Sequence, residues 1–153
     1  MSHTTKVSNV AIRDIDALEK AVKDLQEEGV RCELVKGVNP RMYYNDQAKR
    51  ATNGKGCAYT LRLHDSKYDV GFVEERDKHG IFYSTIFDEW GDHIRRNIGV
   101  TDQKGSSSGL AIGNLMQKYT RYATINQASQ AGWHFDSEYV DEKGNTQMVF
   151  SYT

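Results

Sequence analysis

The alternation and recurrence of apolar positions divide the chain into a small set of elements. Over residues 6–12, Val7, Asn9 and Ala11 share one side and Ser8, Val10 and Ile12 the other, the two-residue period of a short strand. Asp14 then reads as an N-cap. Behind it Ile15, Leu18, Val22 and Leu25 recur at helical spacing, and Gly29 ends the helix. A strand is expected over 30–35, stopped by Gly37 and the Asn39-Pro40 turn, where the ring of the only proline disfavours helix in the residue before it. Residues 41–56 show no clean period and read as a long loop with at most one helical turn.

Cys57, Tyr59, Leu61 and Leu63 alternate with Ala58, Thr60, Arg62 and His64, so 57–64 is a half-buried strand. Two more strands are expected over 68–74 and 81–88, separated by a charged turn. The second has Phe82 and Ile86 opposite Ile81, Tyr83 and Phe87, apolar on both faces and therefore interior to a sheet. Residues 90–109 turn polar and end in the Gly- and Ser-rich run 104–109. Beyond it Ile112, Leu115, Met116, Tyr119, Tyr122 and Ala123 form a helical stripe wide enough to cover one sheet face. Past Gly132, Trp133, Phe135 and Tyr139 alternate with polar residues, and after a turn at 141–145 Met148, Phe150 and Tyr152 answer with the same period, a hairpin whose aromatics are expected to face the core.

These elements predict one α+β domain over residues 1–153, in the order β-α-β-β-β-β-α-β-β. An antiparallel sheet of six or seven strands carries two helices on one face, with flexible loops at about 39–56 and 92–109. A chain of 153 residues can bury a core without staples. With 38% hydrophobic residues, the nine Tyr, five Phe and two Trp supply bulk that aliphatic residues would otherwise provide.

Twenty Lys and Arg against 21 Asp and Glu give no bulk field toward nucleic acid or an anionic membrane, so any such binding must come from a local patch. Cys32 and Cys57 have no second ligand at metal-finger spacing and read as reduced thiols in strands, which places the protein in a reducing cytosol. The polar N-terminus and the lack of any apolar run near ~18 residues predict neither a signal peptide nor a membrane span.

The opening Met1-Ser2-His3, the helix led by Asp14, Tyr68-Asp69-Val70-Gly71-Phe72, Asp88-Glu89-Trp90-Gly91, and Gln117-Lys118-Tyr119 with Ala128 and Gly132-Trp133 fall in one order along most of the chain. In that order they resemble a family of small proteins first described as a hypothetical chloroplast reading frame (thirty-five), found in plastids, cyanobacteria and some of their phages. Longer segments at 41–56 and 94–109 depart from the pattern and fit a divergent, phage-borne member. The family is of unknown function, so the resemblance implies a fold and a setting, the host cytoplasm, but no activity.

Candidate chemistry is sparse. Asp88, Glu89, Asp92 and His93 gather oxygen and nitrogen ligands within six residues and are weak metal candidates, with Asp88, Asp92 and His93 the best of them. Local spacing is not convergence, and a strand would send 88 and 89 to opposite faces. His64-Asp65 with one of Ser106, Ser107 or Ser108 makes a poor nucleophilic relay, because a Gly-flanked triple serine does not hold a hydroxyl rigidly. Nor does 105–109 form a phosphate cradle, since Lys104 precedes the glycine. Arg41, Lys49, Arg50 and Lys55 with Tyr43 and Tyr44 form the best ligand-binding patch, able to pair phosphates while stacking bases. Its alternative is a solvated loop with the tyrosines folded back onto the sheet.

Binding is therefore expected rather than catalysis, with no cofactor. The first expectation is a cytoplasmic accessory protein that docks onto a host or viral protein, and onto itself through the terminal strand of Met148, Phe150 and Tyr152, whose edge can accept another strand. The second is a nucleic-acid or nucleotide binder, including one that sequesters a signalling nucleotide. The third is a metal-dependent enzyme built around residues 88–93.

Overall fold

The computed structural model describes residues 4–100 and 111–152. The elements are β1 (Thr4–Ile12), α1 (Ile15–Glu27), β2 (Cys32–Lys36), α2 (Gln47–Ala51), β3 (Tyr59–Leu63), β4 (Val70–Asp77), β5 (Gly80–Asp88), a 3-10 turn (Trp90–Asp92), α3 (His93–Ile98), α4 (Gly113–Gln130), β6 (Trp133–Val140) and β7 (Thr146–Tyr152). Helix α1 forms as its signals predict. Asp14 Oδ1 accepts from Ala17 N at 3.0 Å, and at the other end Val30 N and Gly29 N donate to Leu25 O and Gln26 O. Gly29, at φ +97°, supplies the left-handed residue that this closure requires.

Five strands form one antiparallel sheet in the order β1-β5-β4-β3-β2. Helix α1 joins the two edges, and β5 is interior, as its two apolar faces predict. On the helical side Leu18, Leu25, Leu61, Leu63, Phe72 and Phe87 are fully buried, together with Ile94, Ile98 and Leu115. The opposite side is also covered. There Met42, Ala48 and Cys57 pack on Val73 and Ile86, so the segment expected to be a flexible loop carries α2 and closes a second, smaller core. A bare sheet face would leave Val73 and Ile86 in water, and burying them contributes roughly 1.5–3 kcal/mol each.

The sheet also differs from the expected six or seven strands. β6 and β7 pair only with each other, in a separate two-stranded sheet. Helix α4 accounts for this. Its first half joins the core through Leu115 and Tyr119, and the Tyr119 hydroxyl accepts from Arg13 N and Asp14 N at 3.0 and 3.2 Å. Its second half lies along α1 through polar contacts, Tyr122 to Asp24 and Asn126 to Asp14 and Asp16. Gly132, at φ +91°, then turns the chain back over α4 and not onto the sheet. The hairpin is held there by Arg121, whose guanidinium pairs with Glu138 at 2.7 Å and lies over the Phe135 ring. Trp133, Tyr139 and Tyr152, expected in the core, are exposed, while Phe135, Met148 and Phe150 are half-buried.

Cys57 precedes β3 instead of lying within a strand, and with Cys32 it is buried and free. Burial alone pushes both thiols up to about 11. At pH 8 neither is expected to react with a disulfide reagent in the native protein, and both should react once urea unfolds it. Gly71 lies against the same thiol. A Cβ there would meet Cys57 Sγ at 2.6 Å and Pro40 Cγ at 2.8 Å. Gly71→Ala should therefore lower stability by about 1–3 kcal/mol in urea unfolding, since neither the sheet nor the proline can give way.

Candidate functional site

Two carboxylates that the core has swallowed organise the segment after Pro40. Asp69, 1% exposed, accepts from Arg41 Nε at 2.9 Å, Arg41 Nη2 at 2.7 Å, Arg41 N at 2.9 Å and Leu63 N at 3.1 Å. The same guanidinium donates to Leu63 O at 2.8 Å. Asp88, fully buried at the end of β5, accepts from Tyr43 N and Trp90 N, each at 3.1 Å. A buried charge is tolerated only when its oxygens are satisfied, and here backbone N–H groups and one guanidinium do so. Residues 41–43 are thereby strapped to the sheet at both ends of Met42, whose side chain enters the second core.

The strap presents aromatic rings outward. Tyr43, Tyr44 and Trp90 are 48%, 54% and 45% exposed. Tyr43 meets Tyr44 edge-on at 4.9 Å between centroids and Trp90 at 6.3 Å. The expectation that these tyrosines fold back onto the sheet fails because Met42 occupies that position. At one end the Arg50 guanidinium stands 5.9 Å from the Tyr44 ring and pairs with the exposed Asp46 at 3.1 Å, a surface ion pair that contributes little, with Lys49 beside it on α2. At the other end His93 lies edge-on to Tyr68 at 5.4 Å, with Arg96 Nη2 3.5 Å from its ring nitrogen. Partial burial, Arg96 and Lys67 hold His93 below the ordinary imidazole range, so the ring is neutral at pH 7 and the positive charge around it comes from its neighbours.

Of the expected ligand residues, Tyr43, Tyr44, Lys49 and Arg50 come together on this face. Arg41 and Lys55 do not serve a ligand in this arrangement. Arg41 is bound to Asp69, and Lys55 Nζ donates to Glu74 O. Trp90 joins the face, Arg96 follows it by donating to Gly91 O at 2.9 Å, and Lys67 lies near His93, none of which their own sequence surroundings indicated. The one sequence sign was Asp88, an acid ending an apolar strand, whose burial ties residue 90 to residue 43.

The metal candidates separate. Asp88 spends its oxygens on N–H groups, Asp92 is exposed and near Arg95, and His93 faces Tyr68. Among the described residues no three His, Cys, Asp or Glu side chains come together so as to hold a metal ion. Left-handed Gly91 and Asp92, at φ +69° and +56°, kink the chain between the 3-10 turn and α3, which is what parts them. The His64-Asp65 pair finds other partners. His64 lies 3.6 Å from Glu33, and Asp65 pairs with Arg31, which lowers its pKa. Ser106, Ser107 and Ser108 lie outside the described residues. No helix among the described residues is long and apolar enough to cross a membrane.

The hairpin is the second surface. It carries Trp133, Tyr139, Val140, Val149 and Tyr152, five of the nine large apolar side chains left exposed among the described residues. Trp133 stacks obliquely on Tyr152 at 4.9 Å and Phe135 meets Phe150 at 5.8 Å on the side facing α4, while Tyr139 and Val149 face away. A groove of about 1420 Å³, lined by Met116, Arg121, Glu138, Val140 and Met148 among others, separates the hairpin from α4.

An α+β domain with a strapped aromatic face and a projecting hairpin is therefore the class defined by the fold. No family model, curated protein or solved structure matches the chain.

The strap makes a stability prediction. Arg41→Ala leaves the Asp69 charge buried without its guanidinium and should cost about 3–5 kcal/mol in urea unfolding. Lys49→Ala, an exposed cation with no ion pair among the described residues, should stay within about 0.5 kcal/mol.

Proposed function

We propose that the protein is a non-enzymatic accessory protein that acts by docking, with the β6–β7 hairpin as its docking element and a second copy of itself as the first partner. The supporting observation is the edge of β7. Of the four strands at sheet edges, β1 carries a register shift between Val7 and Ile12, β2 contains Glu33 and Lys36, and β6 contains Asp136, Glu138 and a register shift, whereas β7 has no charge, proline or glycine. Charges and bulges are the devices that keep an edge from pairing, so among the described strands β7 is the edge that carries none of them.

Side-chain parity favours self-pairing. Two β7 strands aligned antiparallel about Val149 place Met148 of each copy against Phe150 of the other on one face, and Gln147 against Ser151 on the other face. A two-stranded ribbon, marginal alone, becomes four strands with a continuous apolar side. Shifting the axis to lie between two residues would set the apolar face against the polar one. The setting implied by the plastid, cyanobacterial and phage resemblance is the host cytoplasm, where such a protein would be free to dock.

Light scattering across a concentration series should show twice the chain mass of 17.4 kDa, and Val149→Lys should return the single-chain mass. Opposed Cα atoms in such a pair are about 4.5–5.5 Å apart, within disulfide reach. Mild oxidation should thus link Val149→Cys chains and leave Ser151→Cys chains unlinked, since the latter would face Gln147. A single-chain mass at every concentration, or equal linking of the two variants, refutes the reading.

A further inference from the structure

We infer that the strapped aromatic face binds single-stranded nucleic acid, with Tyr44, Tyr43 and Trp90 stacking bases and Lys49, Arg50, Lys67 and Arg96 pairing phosphates at the two ends of the row. The inference is independent of the hairpin and rests on three features. The first is rigidity. Tyr43 and Trp90 come from segments 47 positions apart (90 minus 43), yet both backbones are fixed by the one buried carboxylate of Asp88. A stacking surface gains affinity when its rings are positioned before the ligand arrives, because less ordering entropy opposes binding.

The second feature is that the rings remain exposed while the core beside them takes Met42 instead. Met42 fills the second core while the tyrosines that follow it point to solvent, and Trp90 extends the same row. Bases stack on such rings whatever their identity, since each base offers a π-face. The third is the distribution of charge. Arg50 and Lys49 stand at the Tyr44 end, where Arg50 holds an exposed pair with Asp46 that a phosphate can replace, and Arg96, which donates to the Gly91 carbonyl next to Trp90, stands with Lys67 near His93 at the other. Cations flanking a row of rings suit an extended chain of nucleotides, in which phosphates recur along the strand between stacked bases. They suit a single nucleotide, with its phosphate at one end, less well. A duplex keeps its bases inside and can use only the cations.

Fluorescence anisotropy with a labelled ten-nucleotide single strand tests this. At 50 mM salt the strand should bind at least tenfold more tightly than the duplex of the same sequence. Four phosphate contacts give a slope near −0.7 per contact, so raising salt to 200 mM should weaken binding about 50-fold. Trp90→Ala should weaken it about tenfold, and Trp90→Phe should retain most of the affinity. Lys49→Ala with Arg50→Ala should flatten the salt dependence. Thermal unfolding checks that each variant folds. Val149→Lys should leave strand binding unchanged, which separates failure here from failure of the docking reading. Equal binding of duplex and single strand, affinity unmoved by Trp90→Ala, displacement of the strand on equal terms by a nucleoside monophosphate, or no binding at 50 mM salt would each overturn the inference.

Discussion

The burial of two carboxylates, Asp69 and Asp88, is the constraint on which much of the molecule depends. Neither can lie inside the protein unless its oxygens are met, and the groups that meet them belong to segments far away in the chain. Asp69 takes the Arg41 guanidinium and the Leu63 N–H, and Asp88 takes the N–H groups of Tyr43 and Trp90. Their satisfaction fixes the path of residues 41–43 across the sheet, places Met42 over Val73 and Ile86, and turns Tyr43 and Tyr44 outward. The same hydrogen bonds carry Trp90 to the tyrosines. A face of three exposed rings is thus a consequence of how two charges are buried.

The two halves of the molecule are held by different forces. Around the five-stranded sheet, apolar burial on both faces dominates, and ion pairs such as Arg13 with Asp77 sit at the rim, where each contributes little. Beyond Tyr119 only Tyr122 and Ala123, among the described residues, still pack on the core, and polar contacts join them: Tyr122 with Asp24, Asn126 with Asp14 and Asp16, Arg121 with Glu138. The hairpin at the end of this arm has apolar side chains that the chain itself does not cover.

Much of the fold was legible in the sequence. The cap at Asp14, the stop at Gly29, the interior position of β5 and the hairpin after Gly132 all follow from signals a few residues long, and the structure has each of them. The candidate patch was legible in half of its residues. Tyr43, Tyr44, Lys49 and Arg50 share one exposed face, Arg50 holding the exposed Asp46 one helical turn away, whereas Arg41 is committed to a buried acid and Lys55 to the Glu74 carbonyl. Whether a cation is free depends on which acceptor folds against it, and Arg41 meets its acid 28 positions along the chain. The hairpin aromatics misled for a related reason. Alternation says which residues share a face, not whether anything covers that face.

Periodicity, caps and turns act over a few residues, and from them the sequence alone yields the α+β class, the succession of the seven strands with α1 and α4, and the side of each on which apolar residues lie, but neither α2 nor α3, whose residues 93–98 fall in a segment expected to be a flexible loop. Only the tertiary structure decided that the segment over 39–56 closes a second core, that Trp90 joins Tyr43, that residues 88–93 do not converge, and that the hairpin leaves the sheet. These outcomes turn on buried charges finding partners across separations of 28 and 45 positions, and on the way α4 leans against α1 and carries β6 and β7 away from the five-stranded sheet.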